Sequence, residues 1–258
     1  VTAGSGGTVS PTSGTYESGT EVTITATPNS GYTFIGWSGT SSGFDTTLTI
    51  TINGNTSITA NFEALIYLDS NGITLKARPE AITGSLINYN GSTYHLVSED
   101  DLRELVNNNQ NLSNVITTRV NNMEDLFRGI TELNGDISSW DVSNVINMNN
   151  MFRGVPFNPQ VENWDTSSLL YAIEMFIESE FNQDISSWDT SNLILAQGMF
   201  FLTPFNHPIN NWDVGNVSNM RRMFYQSDFN QPIDNWDVSN VSDMLGMFDS
   251  SLFNQPLS

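Results

Sequence analysis

The chain has 258 residues and a formal net charge of −20, with 8 basic against 28 acidic side chains. That balance argues against nucleic acid and anionic membrane surfaces and leaves cations or basic partners open. There is no cysteine, which excludes disulfides, thiolate metal sites and a cysteine nucleophile, and no apolar run is long enough to insert in a membrane.

Residues 1–64 are rich in Thr, Gly and Ser. Glu21–Pro28, Thr47–Ile52 and Ser57–Phe62 place Val, Ile and Phe on one face and Thr on the other, the alternation of half-solvated antiparallel strands. Gly residues and Asn53-Gly54 break them. Trp37, between Gly36 and Ser38, reads as a core or rim aromatic. Residues 65–110 differ. Ile66–Ala77 reads as two strands around Ser70-Asn71-Gly72, and Leu86–Val97 as a hairpin turning at Asn90-Gly91. Asp69 opens a stretch that lacks the distal Glu of a calcium loop, so it reads as a turn. Ser98 is an N-cap with acids in the first turn, and Leu102, Leu105 and Val106 form the apolar stripe of a short helix. This segment is expected to cap the repeats that follow.

From residue 111 to 258 the chain repeats at a fixed interval, the one that separates Trp140 from Trp164. Trp140, Trp164, Trp188, Trp212 and Trp236 carry the period, and an Asp follows each: Asp141, Asp165, Asp189, Asp213 and Asp237. Rows begin at Leu133, Phe157, Phe181, Phe205, Phe229 and Phe253, each followed by Asn, and five of them carry Met-Phe. The I-x-x-W-x-V portion reads as a strand, and V-x-x-M-x-x-M-F as a helical turn or two. The expected architecture is therefore an α/β solenoid of about six coils, one short strand and one short helix per coil, behind a small all-β module. The sixth row stops before its Trp, and the repeat is expected to continue beyond it.

The flanking Ile and Val favour core packing for the five tryptophans; sugar-stacking platforms are the alternative. The Asn after each row start reads as a buried ladder of side-chain amides. Stacked carboxylates about 5 Å apart repel by about 1 kcal/mol per pair even in water. Either each Asp accepts from the backbone two and three residues on, as Asp237 would from Ser239 and Asn240, or the column shares a calcium ion.

The pattern F-N-Q-P-I-x-N-W-D-V-S-N-V-x-x-M-x-x-M-F resembles the BspA-like leucine-rich repeat family of bacterial surface proteins, over Asn111 to Ser258. The stretches G-G-T-V-S-P, G-T-E-V-T-I-T-A-T-P, G-Y-T-F-I-G-W-S-G and S-I-T-A-N-F resemble the divergent internalin B-type repeat, a spacer module. The resemblance implies a leucine-rich-repeat-like solenoid, secretion, surface display and a binding or adhesion role toward an extracellular protein or glycan. It carries over no catalytic residues.

Nothing in the residues argues for catalysis. His95 and His207 stand in no zinc or Ser–His spacing, and there is no phosphate loop. The expectation is a non-catalytic module without a cofactor, calcium apart. A structural stalk and a carbohydrate-binding accessory of a secreted degradative system are the rival readings. One patch stands out. Leu170-Tyr171 and Ile194-Leu195 replace polar pairs such as Ser218-Asn219 and Ser242-Asp243, Ile173 lies nearby, and Ile177, Phe201 and Tyr225 follow Met-Phe in consecutive rows. These residues would adjoin in stacked rows, either as a thicker core or as a surface for self-association or a partner.

Overall fold

The computed structural model describes residues 1–256. The chain divides into two compact units: Val1–Tyr67 with Ala77–Tyr94, and Leu68–Lys76 with His95 onward.

The first unit is built from strands. These are β1 (Thr2–Ala3), β2 (Gly7–Ser10), β3 (Thr20–Pro28), β4 (Tyr32–Gly39), β5 (Thr47–Ile52) and β6 (Ile58–Ala64). They form two three-stranded sheets, ordered β1-β6-β4 and β2-β3-β5. The β3–β5 register pairs Val22 with Ile50 and Ile24 with Leu48, so the Val and Ile of both strands lie on one face. Val9, Ile24, Ala26, Ile50, Ile58 and Phe62 form the core with Trp37. Trp37 is buried, and its Nε1 donates to the carbonyl of Asp45 at 2.8 Å, so the indole N–H is not stranded. A bulge between Phe34 and Gly36 re-aims β4, and only glycine tolerates the φ of 133° at Gly36.

Two strand pairs follow along the chain. β7 (Ile66–Leu68) pairs with β8 (Leu75–Ala77); in the turn between them, Asn71 Oδ1 accepts from the N–H groups of Ile73 and Thr74. β9 (Leu86–Tyr89) and β10 (Ser92–Leu96) turn through Asn90 and Gly91, both at positive φ. In the second unit α1 (Glu99–Asn107) starts at a capping box: Ser98 Oγ accepts from the Asp101 N–H while Asp101 accepts from the Ser98 N–H. Leu102 and Val106 bury its apolar stripe. β11 (Val115–Ile116) pairs in parallel with β10.

Beyond β11 the structure departs from the expected α/β solenoid. Helix makes up 4% of the chain and strand 23%, in several small sheets, and no solenoid closes. The V-x-x-M-x-x-M-F segments are successions of turns, not helices. Two features prevent the helix. Asn150, Glu174 and Arg222 take φ of 51–53°, the left-handed region, in the middle of the segment. Alternate N–H groups also leave the segment: those of Met148, Asn150, Phe152 and Gly154 donate to the carbonyls of Tyr171, Ile173, Met175 and Ile177 in the following row. An α-helix would need those donors for its own turns. The leucine-rich-repeat-like α/β solenoid is thus replaced by turn-built rows that stack through isolated parallel bridges.

The bridges run Asn122, Asn147, Tyr171, Leu195, Asn219, Asp243. The first step is longer than the others, because the first row carries one extra residue. Stacking puts like on like inside. Phe127, Phe152, Phe176, Phe200, Phe224 and Phe248 form a column with centroids 5.2–5.7 Å apart. Phe181, Phe205, Phe229 and Phe253 form a second column at 6.1–6.2 Å. No row covers its own apolar side chains; its neighbours do.

Candidate functional site

All five repeat tryptophans lie in the core of the second unit. Each indole N–H donates to a carbonyl of the preceding row, at 2.9–3.3 Å: Trp140 to Leu112, Trp164 to Ile137, Trp188 to Val161, Trp212 to Ile185 and Trp236 to Ile209. Buried rings with occupied N–H groups offer no stacking face to a sugar.

The asparagine ladder exists, but at the surface. The N–H of Asn182 meets Asn158 Oδ1, that of Asn206 meets Asn182 Oδ1, and the pattern continues through Asn230 to Asn254. These side chains are exposed or half-buried. His207 Nε2 sits 3.2 Å from the carbonyl of Asn182, where Gln183, Gln231 and Gln255 place their amides in other rows. It occupies a structural position in that ladder.

The aspartates serve their own turns. In each row Oδ1 accepts from the N–H two residues on: Asp141 from Ser143, Asp165 from Ser167, Asp189 from Ser191, Asp213 from Gly215 and Asp237 from Ser239. The bond from the Ser191 hydroxyl and then its N–H hold the Asp189 carboxyl below its ordinary value. At Asp237 the N–H of Ser239 does the same. Asn240 does not donate its N–H there; its Nδ2 reaches back to the carbonyl of Gly215. Among the described residues no group of three or more His, Cys, Asp or Glu is placed to hold a metal ion.

The first two aspartates have a cation as well. Lys76, the chain's one lysine, lies 2.8 Å from Asp69. Burial alone would lower its pKa. The hydrogen bond to Asp69 and the charges of Asp141, Asp69 and Asp165 outweigh that and hold it above the ordinary value. Asp141 is buried, and its Oδ2 has no hydrogen-bond partner.

The apolar patch is divided by the structure. Tyr171 and Leu195 are bridge partners in adjacent rows, half-buried, with Leu170 and Ile173 beside them. Ile194 is 36% exposed. Ile177 is 5% exposed and belongs to the interior. Phe201 and Tyr225 are half-buried and stack at 4.7 Å, and Arg222 lies over Tyr225 at 5.6 Å. Ile146, 41% exposed, extends the Leu170–Ile194 column by one row, and Leu202 lies exposed next to Phe201. Both were legible from the alignment of the rows, because Ile146 sits one row before Leu170 and Leu202 follows Phe201 directly. Polar residues border the bridge column on both sides, Asn147 before Tyr171 and Asn219 after Leu195.

The family model described as "Mycoplasma protein of unknown function, DUF285" matches residues 99–204 and 196–258, together more than half of the chain. The chain belongs to the DUF285 family. A second model, the divergent InlB B-repeat domain, matches residues 1–65. A DUF285 repeat region behind such a module marks a surface-associated bacterial repeat protein. No curated protein and no solved structure matches the chain. No helix among the described residues of this DUF285 protein is long and apolar enough to cross a membrane.

Proposed function

We propose that the DUF285 rows are a non-catalytic adhesion surface of a cell-surface or secreted bacterial protein. The contact strip holds Leu170, Tyr171, Ile194 and Leu195, and Phe201 and Tyr225 add an aromatic pair. The observation that carries this reading is the change in one bridge column. Tyr171 and Leu195 occupy, half-exposed, the place filled by Asn147, Asn219 and Asp243 in other rows. The backbone bridge forms with Asn as readily as with Tyr or Leu, so the ladder does not require the apolar residues. A contiguous apolar strip rimmed by polar residues is the usual mark of a contact surface. Its aliphatic and aromatic mixture suits an extracellular protein partner better than a sugar face.

The test is a triple variant, Tyr171→Ser, Leu195→Ser and Phe201→Ser, compared with the parent for binding to host cells and extracellular matrix proteins. The expected outcome is loss of binding with a melting temperature lowered by only a few degrees, about 2–4 °C per kcal/mol for a chain of this size. A collapse in melting temperature would assign the strip to the core and end the proposal.

A further inference from the structure

The first unit contains a cavity of about 550 Å³ that the strip on the DUF285 rows does not involve. Its floor is the end of the inner face of the β2-β3-β5 sheet, where Val22, Ile24, Ile50 and Ile52 line the opening. One wall is the connection from β2 to β3, which carries Tyr16. The turn from β5 to β6 also lines it, with Asn53, Asn55 and Thr56. No Asp, Glu, Lys, Arg or His side chain lines it, in a chain of net charge −20; Val1 does, and its α-amino group is the one charge among the lining residues.

Each part of that lining constrains a ligand. The Val22 and Ile52 side chains are half-buried, so apolar surface is open to a small molecule. Among the described residues the carboxamides of Asn53 and Asn55 make no hydrogen bond to protein and are exposed, so both can donate and accept. The Tyr16 ring is 38% exposed and lies against Gly14, where an added Cβ would come within 2.7 Å of Tyr16 Oη. Gly14 therefore sets how far the ring can lean into the wall. The volume lies in the range of small-ligand sites, which combine an apolar floor with a few placed polar groups. An ionic ligand would lose hydration here and find no charged side chain in return. A purely apolar ligand would strip water from the amides without replacing it.

We propose that this cavity binds a neutral saccharide, with the apolar face of one pyranose ring on Val22 and Ile52, its hydroxyls toward Asn53, Asn55 and Thr56, and Tyr16 as the aromatic wall. The site is separate from the proposed protein contact of the other unit.

The test uses the whole chain with methyl glycosides of glucose, galactose, mannose and N-acetylglucosamine, and with glucuronate as the anionic counterpart, followed by amide NMR shifts. The expected result is millimolar-range binding of a neutral glycoside, with shifts confined to residues 11–24 and 50–56. Tyr16→Ala should weaken it about tenfold through the lost ring contact, and glucuronate should bind at least about tenfold more weakly, since no charged side chain lines the cavity to pair with its carboxylate. Gly14→Val, which displaces the ring without removing it, should also weaken binding. The triple variant in the DUF285 rows should bind the glycoside unchanged, so the two proposals fail or stand separately. Absence of binding by every neutral probe, glucuronate binding as tightly, or undiminished binding by a folded Tyr16→Ala protein would each overturn the proposal.

Discussion

Arg103, on α1, donates Nη1 to the backbone carbonyl of Glu124 at 2.8 Å, and its Nη2 reaches the carbonyl of Asn122 at 3.4 Å. Those two carbonyls head the bridge ladder. In the next row their counterparts, the carbonyls of Asn147 and Asn149, are taken by the N–H groups of Met123 and Asp125. The guanidinium therefore stands where a preceding row would put its donors. Helix α1 supplies a side chain with several donors in a fixed fork, which a single backbone N–H cannot match.

Arg103→Ala should cost about 1–3 kcal/mol, since it leaves two carbonyls without a charged donor and also removes the ion pair with Glu99. Arg103→Lys should restore only part of this, because a lysine cannot span both carbonyls in the same plane. Urea unfolding checks it: the midpoint should fall with the slope unchanged. Equal stability of the Ala variant would show that the fork contributes nothing to the ladder.

Trp188→Ala in the central row should cost about 3–5 kcal/mol, through a large cavity between rows and the loss of one of two donors to the Val161 carbonyl, which keeps the Trp164 N–H. Trp188→Phe separates the two parts. It keeps most of the packing and loses the N–H, so it should cost about 1–2 kcal/mol. Thermal melts of both variants give the comparison, and a Phe variant as damaged as the Ala variant would make the hydrogen bond the larger share.

The Lys76–Asp69 pair sets a pH window. Lys76 is held above its ordinary 10.5, so its contribution is complete below that value and fades as pH rises through the folded pKa. Asp69 is held below its ordinary 3.8, first by the hydrogen bond from Lys76 and then by the N–H of Ser70. Its contribution is present above 3.8 and is lost as pH falls. Asp101, Asp184, Asp189 and Asp237 are also lowered and add to the acid side. Melting temperature should therefore be level across neutral pH and fall at both extremes. Lys76→Met should lower the plateau and remove the alkaline fall due to this pair; an unchanged alkaline limb would assign that limb to other groups.

Calcium should leave the melting temperature unchanged at millimolar concentration. Each aspartate of the repeat directs Oδ1 to its own turn, and a ligand that binds only the folded chain would raise stability by mass action. A rise that disappears in Asp189→Asn would mean that neighbouring rows share an ion through their second carboxylate oxygens.

Local elements and the period follow from the residues alone. Residues 47–52 alternate Thr with apolar residues and form β5. Ser98 and Asp101 announce the start of α1, because a capping box needs only residues three apart. The even recurrence of Trp put like side chains in register before any contact was known. What V-x-x-M-x-x-M-F becomes was settled by stacking. Its three-and-four spacing suits a helix, and it also suits a row of turns that buries Val145, Met148, Met151 and Phe152. The choice is made by donors such as Asn150 N–H, which finds its acceptor in the following row at Ile173. Stacking likewise sorted the patch, drawing Ile177 into the core and leaving Ile194 in solvent, although both are isoleucines in apolar runs. Hydrophobic spacing within a row records which residues seek burial. The hydrogen bonds that decide the backbone lie between rows, and they exist only once the rows have stacked.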